Sequence, residues 1–518
     1  MPFHARSALA LRLLPCALAL LVPAVALRAD IIDVPGDAPT IQQGIALAQP
    51  GDEVVVAAGS WPGLIDFLGK AITVRSADGP ATTTIDGQFS GPVVTFASGE
   101  GASSVLEGFT IRNGLIQSID IDSGGAGIRI QGASPVVRGN VIADNTSTWT
   151  GAGIFCWDSN AHLEGNVFTG NSFQAFIADA PYGSGAGVHV RGGAVTMVDN
   201  RFSGNFGADH GGAIFFEDTQ GSTATNTVCS GNASGVGGAI AVHGASTVVL
   251  ENLLVIGNQA TGLVSFIGTS EGTGGGISVG GASVATIRGA TILGNTAFGG
   301  FNGPGSGGGI HWSSTLVVPT SLASSIVRGN IAGADLQVHP ALAVSFSDIE
   351  GGAAGPGNID QDPLFVTGPL GDHYLSQLAA GQGAQSPCVD AGDPSGSPLP
   401  GTTTRTDEVP DAGTIDIGYH FPAGDIPFRR GDANGDQATN IADAVFLLSV
   451  LFPVPPGPAP ALGCADAADA NDDGSVNIAD AIAILGALFG GTPLPPPTGA
   501  CGNDPTPDPL TCDTPPTC

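Results

Sequence analysis

The sequence is almost without lysine. Lys70 is the only one in 518 residues, and Lys plus Arg total 15 against 46 Asp plus Glu, a formal net charge of −31. Nucleic acid needs a basic footprint, so this balance argues against it as a partner and suits divalent cations and an extracellular setting. No apolar run after the first thirty residues approaches the ~20 that a membrane span needs. No Cys-x-x-Cys spacing occurs, so zinc is not supported. Charged residues make up only 12% of the chain.

What is abundant is glycine, at 81 residues, more than double the usual ~7% share. Such a composition favours tight turns and stacked strands over helices. At the start, His4, Arg6 and Arg12 precede the apolar stretch Leu13 to Leu27, with small residues at Ala24-Val25-Ala26 or Leu27-Arg28-Ala29. That order predicts an export signal over residues 1–29 and a secreted or cell-surface protein. Beyond it lie Cys156, Cys229 and Cys388, scattered, and Cys464, Cys501, Cys512 and Cys518, clustered. The cluster suggests two disulfides in the tail, with connectivity left open.

The middle of the chain repeats. A Gly-Gly-Ala-Gly-Ile-like element recurs with its aliphatic anchor at Ile128, Ile154, Val188, Ile214, Ile240, Ile277 and Ile310. Each unit ends in an asparagine: Asn145, Asn171, Asn205, Asn232, Asn258, Asn295 and Asn330. The shortest anchor spacing is 26 residues, and the longer spacings of 33 to 37 read as the same unit plus a loop. After each glycine the residues alternate, Ile128 and Ile130 or Val188 and Val190 facing one way, which is the period of a strand with one buried face. Arg129, Phe155, His189, Phe215, Ala241, Ser278 and His311 are expected to face out. A second apolar column, Ile142, Phe168, Phe202, Cys229, Val255, Ile292 and Val327, lies three residues before each asparagine. Strands this short hide their apolar side only by stacking, and asparagines repeated at the turns can bond up the stack. Cys156 and Cys229 fall in the inward columns and read as small buried hydrophobes.

The elements Gly211 to Ile214 and Phe202 to Asn205 resemble right-handed parallel β-helix repeat proteins, among them the pectate-lyase-like superfamily and the chlamydial polymorphic outer-membrane proteins. Val34 to Gln42 and Pro50 to Val56 resemble their N-terminal cap, with Thr40 capping a short helix that covers the first rung. Asp362 to Phe365 and Ser386 to Pro394 resemble the closing segment of bacterial secreted members. The fold class expected is therefore mainly β: a right-handed parallel β-helix over residues 30–425, followed by a small α-helical module over 426–492 and a Pro/Cys-rich tail over 493–518. This architecture hosts lyases, hydrolases, adhesins and inert scaffolds, so it does not decide activity.

The tail carries the sharpest chemical motif. Asp432, Asn434, Asp436, Asn440 and Asp443 occupy positions 1, 3, 5, 9 and 12 of a twelve-residue loop, with the Ala438 carbonyl at position 7. Asp469, Asn471, Asp473, Ser475, Asn477 and Asp480 repeat the pattern. Oxygen donors at these spacings wrap a hard cation, so calcium is the expected cofactor. Gly474 supports the turn at position 6, whereas the first loop has Gln437 there. Each loop runs into an apolar segment, Ile441 to Phe452 or Ile478 to Phe489, read as a helix. A duplicated loop with an exit helix resembles the dockerin type I module, which implies two calcium ions and a cohesin-like partner. The family's recognition positions 10 and 11 are here Ile441-Ala442 and Ile478-Ala479, a departure from the usual pattern. The tail as a whole resembles those of secreted planctomycete proteins.

The polygalacturonase-type Asn-Thr-Asp, Asp-Asp and Gly-His-Gly set is absent from the sequence, and no lyase-type signature stands out. One row stands out instead: Trp157, Arg191, Glu217 and His243 occupy equivalent positions on successive units, and the insertions 172–184, 259–273 and 296–306 would wall the same face. Aromatic rings beside hydrogen-bonding charges suit sugar recognition. The leading expectation is thus a non-enzymatic extracellular β-helix that binds polysaccharide or a cell-surface component. The alternative is a polysaccharide lyase or glycoside hydrolase of the same fold.

Overall fold

In a computed structural model the described residues are 29–518, apart from 119–122, 175–182, 208, 263, 266–267, 270–271, 300–304, 315–319, 335–336, 398, 424–427, 454–459, 461, 499–500, 502–509, 511 and 513–518. The predicted export signal lies, but for residue 29, outside them.

Residues 31–349 form a right-handed parallel β-helix. Each coil visits three sheets in turn. The anchor sheet stacks nine parallel strands, from Ile65–Asp66 through Ile128–Gln131, Ile154–Ser159, Val188–Gly193, Ile214–Glu217 and Ile240–His243 to Ile310–Ser314. A second sheet runs from Ile31–Val34 through His162–Glu164 to Ala343–Ser345. A third runs from Gly59–Pro62 through Val167–Thr169 to Asp348–Ile349. The anchors pair in the register that the repeat predicts, Ile128 with Ile154, Ile154 with Val188, Val188 with Ile214 and Ile214 with Ile240. The second apolar column stacks likewise, with the Phe168 and Phe202 rings parallel at 4.5 Å. Both columns are fully buried, Cys156 and Cys229 included, and burial pushes the Cys156 thiol up to about 12.

The glycines explain how the chain enters each anchor strand. Three residues before every anchor, Gly125, Gly151, Gly185, Gly211, Gly237, Gly274 and Gly307 have φ between +50° and +78°. At Gly211 a Cβ would lie 2.2 Å from the Ile214 carbonyl oxygen. Only glycine fits such a left-handed, backbone-contacting turn.

The asparagines form a continuous buried ladder. Each Nδ2 donates to the Oδ1 of the next rung, from Asn145 through Asn330, at 2.9–3.0 Å. The last rung passes the bond to Gln337 at 2.8 Å. A second, shorter ladder, Asn140–Asn166–Asn200, runs in parallel.

At the N-terminal end, helix α1 (Ile41–Leu47) covers the first rung. Thr40 caps it through Gln43 N as the sequence predicts. Lys70 donates to the Ile45, Ala46 and Ala48 carbonyls at 2.7–2.9 Å. A cation there satisfies the orphan carbonyls of the helix end. At the other end, residues 362–422 run back over the outside of the third sheet. Tyr374, Tyr419 and Phe421 pack on Leu254, and Asn252 exchanges two 2.7 Å bonds with the His420 backbone.

The tail holds α2 (Ile441–Leu451), the short α3 (Ala465–Ala468) and α4 (Ile478–Leu485), which continues as a π-helical turn, Gly486–Gly490. Helices α2 and α4 pack through Ala444, Leu447, Ala481 and Ile484. Cys464 and Cys512 form a disulfide, and Cys501 is disulfide-bonded as well.

Candidate functional site

The residues expected to face out from the anchor sheet are largely buried, which corrects the one-sided strand predicted from alternation. Phe155, His189, Phe215, Ala241 and Ser278 are each 5% exposed or less. The segment entering each strand folds back over them: Gly151 lies against Phe155, Gly185 against His189, and the His210 ring stacks on Phe215 at 5.1 Å. From Phe155 to Ser278 the sheet is therefore covered on both sides until the fourth residue of the strand, whereas Arg129 and His311 on either flank are only half-buried. There the chain turns away, and Trp157, Arg191, Glu217 and His243 emerge half-buried in one row. Register places Trp157 beside Arg191, Arg191 beside Glu217 and Glu217 beside His243, one rung or ~4.8 Å apart. Most of the insertion residues that would wall this row lie outside the described residues or have undescribed side chains.

Around Glu217 the row becomes a polar cluster. His189 Nε2 lies 3.2 Å from Glu217 Oε2, and Arg191 Nε lies 3.6 Å from the same oxygen. The hydrogen bond from His189 holds the Glu217 carboxyl below its ordinary range, so it stays ionised at neutral pH. Burial keeps His189 neutral against the pull of that carboxylate. Its proton then belongs on Nε2, which faces Glu217, while Nδ1 is buried with no partner among the described residues. Burial, reinforced by His210, pushes His243 down to about 3. Its ring reaches over Gly280, where a Cβ would sit 2.9 Å from it, to within 3.3 Å of Ser278 Oγ.

Sequence reasoning missed Asp209 and His210. Asp209 Oδ1 lies 3.0 Å from His210 Nδ1, and the His210 ring meets His243 edge-on at 4.5 Å. A signal was present: four residues before each anchor stand Gly124, Thr150, Ser184, His210, Val236, Thr273 and Ser306. Only one member of that column is ionisable.

A stability consequence follows for His243. Its folded pKa lies below the ordinary value of 6.5, so the unfolded chain binds the extra proton first. The stabilisation is complete above about pH 6.5 and is lost as pH falls toward about 3. His243→Gln is expected to flatten the fall in unfolding free energy between pH 6.5 and 4, measured by denaturant titration. Equal slopes for wild type and variant would refute the assignment.

The two acidic loops share one wiring. Asp432 accepts from the Asp436 and Gln437 amides, and Asp469 from the Asp473 and Gly474 amides. Asp443 and Asp480 each accept from two backbone amides and close a capping box with Asn440 or Asn477. The Ala438 and Ser475 carbonyls accept from the Asn440 and Asn477 side-chain Nδ2 groups. Position 6 requires positive φ in both loops, +73° at Gln437 and +77° at Gly474, and a non-glycine residue there costs ~1 kcal/mol. Carboxylate oxygens of Asp432, Asp436 and Asp443 lie within 4.8 Å of one another. Burial pushes Asp480 up to about 6, with Asp469 adding to the rise. This crowding of hard oxygen donors fits a calcium-sized cation.

Fold and site together define a parallel β-helix protein with an appended helical module of paired acidic loops. No protein-family model matches the chain, and no curated protein matches it in sequence. Among solved structures, the chain is similar to pectate lyase Pel9A at 12% identity, over 76% of this chain and 98% of that one, with a TM-score of 0.37. It is similar to an alginate lyase from Paenibacillus sp. str. FPU-7 at 14% identity, over 63% and 99%, with a TM-score of 0.22. A mannuronic acid specific polysaccharide family 6 lyase from human gut microbiota shares 14% identity over 65% and 92%, with a TM-score of 0.31. Likeness at these levels carries no inference about activity.

Proposed function

We propose that the protein is an extracellular polysaccharide-acting β-helix whose row Trp157, Arg191, Glu217 and His243 forms the saccharide site. The observation that supports this most is the polar cluster itself. A neutral buried imidazole, an ionised carboxylate and a guanidinium converge where a doubly covered sheet opens to solvent. Simple decoration of a solvent face does not call for burying a histidine against a carboxylate.

Between the two enzymatic alternatives, elimination suits the cluster better than hydrolysis. Hydrolysis uses a pair of carboxyl groups, one of them protonated, whereas Glu217 is held ionised by His189. A uronate-containing chain gives Arg191 a carboxylate to pair with and Trp157 a ring face to stack on. The non-enzymatic reading remains the second one, and a single screen separates them. Purified protein is incubated with acidic and neutral polysaccharides, with and without EDTA. Unsaturated, shortened products support the lyase reading, and retention without turnover supports binding alone. Glu217→Gln is expected to weaken saccharide affinity about tenfold by removing the carboxylate that positions His189 and Arg191, and Trp157→Ala by a similar factor. Unchanged affinity in both variants would refute the site.

In this reading the tail is a dockerin-like module that takes calcium at both loops and attaches the β-helix to a cohesin-like protein. Ile441 and Val445 on α2 and Ile478 and Ile482 on α4 are exposed at duplicated positions, 51–63% each. These two apolar pairs supply the contact surface, which suits a partner with an apolar face.

A further inference from the structure

We infer that the cavity between the second sheet and the segment running back along the coil is a second binding site, which takes one neutral sugar ring. It lies on a different sheet from the row around Glu217 and does not depend on the reading of that row.

The cavity is built from turns. Strands Thr247–Ile256, Val284–Arg288 and Ser321–Ala323 stack with Glu251 beside Arg288 and Arg288 beside Ala323. The residue that follows each of these, Asn252, Gly289 and Ser324, has φ between +49° and +60°, so the chain bends at one level on three rungs. The returning segment closes over the bend. The His420 backbone is bonded to Asn252 on one side, and Asp393 N donates to Ser324 Oγ at 2.9 Å on the other. A cavity of about 120 Å³ remains between them. That is close to the space of one six-membered ring, since a pocket of ~150 Å³ admits benzene.

The lining sets the chemistry. Leu399 and Ile415 give it apolar surface, and Glu251, Arg288, Ser324 and Asp393 give it polar groups with unused capacity. Arg288 Nε stands 3.9 Å from Glu251 Oε1, which is too far for a hydrogen bond. Neither side chain makes any other bond among the described residues. Asp393 commits Oδ1 to the Ser395 amide and hydroxyl at 2.9 and 2.8 Å. These bonds hold its carboxyl below the ordinary range, while Oδ2 has no partner among the described residues. Ser324 is 3% exposed, and its hydroxyl accepts from Asp393 but donates to no described residue. His420 contributes shape alone, because its ring nitrogens face the Gly418 carbonyl at 3.0 Å and Asp411 Oδ2 at 2.8 Å.

Such a wall selects against charge. An anion meets the carboxylates of Glu251 and Asp393, and an ammonium group meets the Arg288 guanidinium. A purely apolar ring would strip water from these groups and leave them unpaired. A hydroxyl both donates and accepts, so one oxygen can accept from Arg288 and donate to Glu251 across the gap between them. A neighbouring hydroxyl donates to Asp393 Oδ2, and the C–H face of the ring lies on Leu399 and Ile415. Hydroxyls on the edge and apolar carbon on the face describe a sugar.

The test titrates the full chain with D-glucose, D-mannose and D-galactose, with D-glucuronate and D-glucosamine as charged comparisons, and reads binding by ligand-observed NMR. At least one neutral sugar is expected to bind with a Kd of about 1–10 mM, at least about fivefold tighter than either charged one. Arg288→Ala and Glu251→Ala are each expected to weaken it about tenfold. The fold should tolerate both, since Arg288 is 54% exposed and neither side chain is hydrogen-bonded, and equal denaturant midpoints check this. Binding that persists in Trp157→Ala and is lost in Arg288→Ala is the expected pattern. The reverse pattern moves the sugar to the row on the anchor sheet and overturns this site while supporting that one. Preference for a charged sugar overturns the ligand class. Binding that both cavity variants leave within about twofold, or none by any neutral sugar at about 100 mM, overturns the site itself.

Discussion

Asn232→Ala is expected to destabilise the β-helix by about 3 kcal/mol or more, since each buried polar group left unsatisfied costs ~1–3 kcal/mol. Asn232 sits mid-ladder with no exposed surface. Its Nδ2 donates to Asn258 Oδ1 at 3.0 Å and to the Phe202 carbonyl at 3.1 Å. Its Oδ1 accepts from the Asn205 amide at 3.0 Å and from Asn205 Nδ2 at 2.9 Å. Alanine removes four bonds at once and also leaves a void the size of an amide. Because the ladder links rungs, the loss falls on both neighbours, and a hydrophobic replacement such as leucine does not restore it. Asn160 offers the control: it is exposed and accepts one bond from Ala194 N at 2.9 Å, so Asn160→Ala should cost under ~1 kcal/mol. Denaturant unfolding followed by far-UV circular dichroism compares the two. Equal, small losses would mean that the ladder is incidental to a stack held by its apolar columns alone.

Calcium at a hundredfold its dissociation constant is expected to stabilise the tail by about 2.7 kcal/mol for a site filled only in the folded state. The reason lies in the loops without cation. Asp432, Asp436 and Asp443 are brought within 4.8 Å, and Asp480 is driven up to about 6 by burial, with Asp469 beside it. Bringing carboxylates together is unfavourable until a cation neutralises them. Asp436→Ala and Asp473→Ala remove a ligand from each loop while leaving the capping boxes at Asp443 and Asp480 in place. Isothermal titration of the wild type should show two sites, each single variant one, and the double variant none. A wild-type melting curve that EDTA leaves unchanged, together with no heat on calcium addition, would remove calcium from the account.

Much of this architecture was legible because it is written many times over. A pattern that recurs in phase fixes what a single copy leaves ambiguous, so the anchors, the second apolar column and the asparagines all stand where the repeat places them. The acidic loops are also written twice, with their oxygen-bearing residues spaced within twelve positions. Alternation failed where burial depends on more than the strand itself. Phe155, His189 and Phe215 occupy outward positions, yet chain from the entering turn lies over them. Nothing in a period of two reports a cover contributed by another segment. Lys70 shows the same limit: its bonds to the end of α1 span 22 to 25 residues.

By itself, then, the sequence determined the coil, its buried columns, its glycine turns and the oxygen sets of the tail, since each follows from side-chain type at a regular spacing. Tertiary structure alone decided which polar residues meet. The row Trp157, Arg191, Glu217 and His243 was legible from the repeat, but not the groups that approach it from other segments. His189 is kept neutral because other segments bury it, and Asp209 with His210 reaches the cluster because a turn folds back over Phe215. Burial and proximity across rungs set the protonation of these groups, and neither is a property of any one repeat.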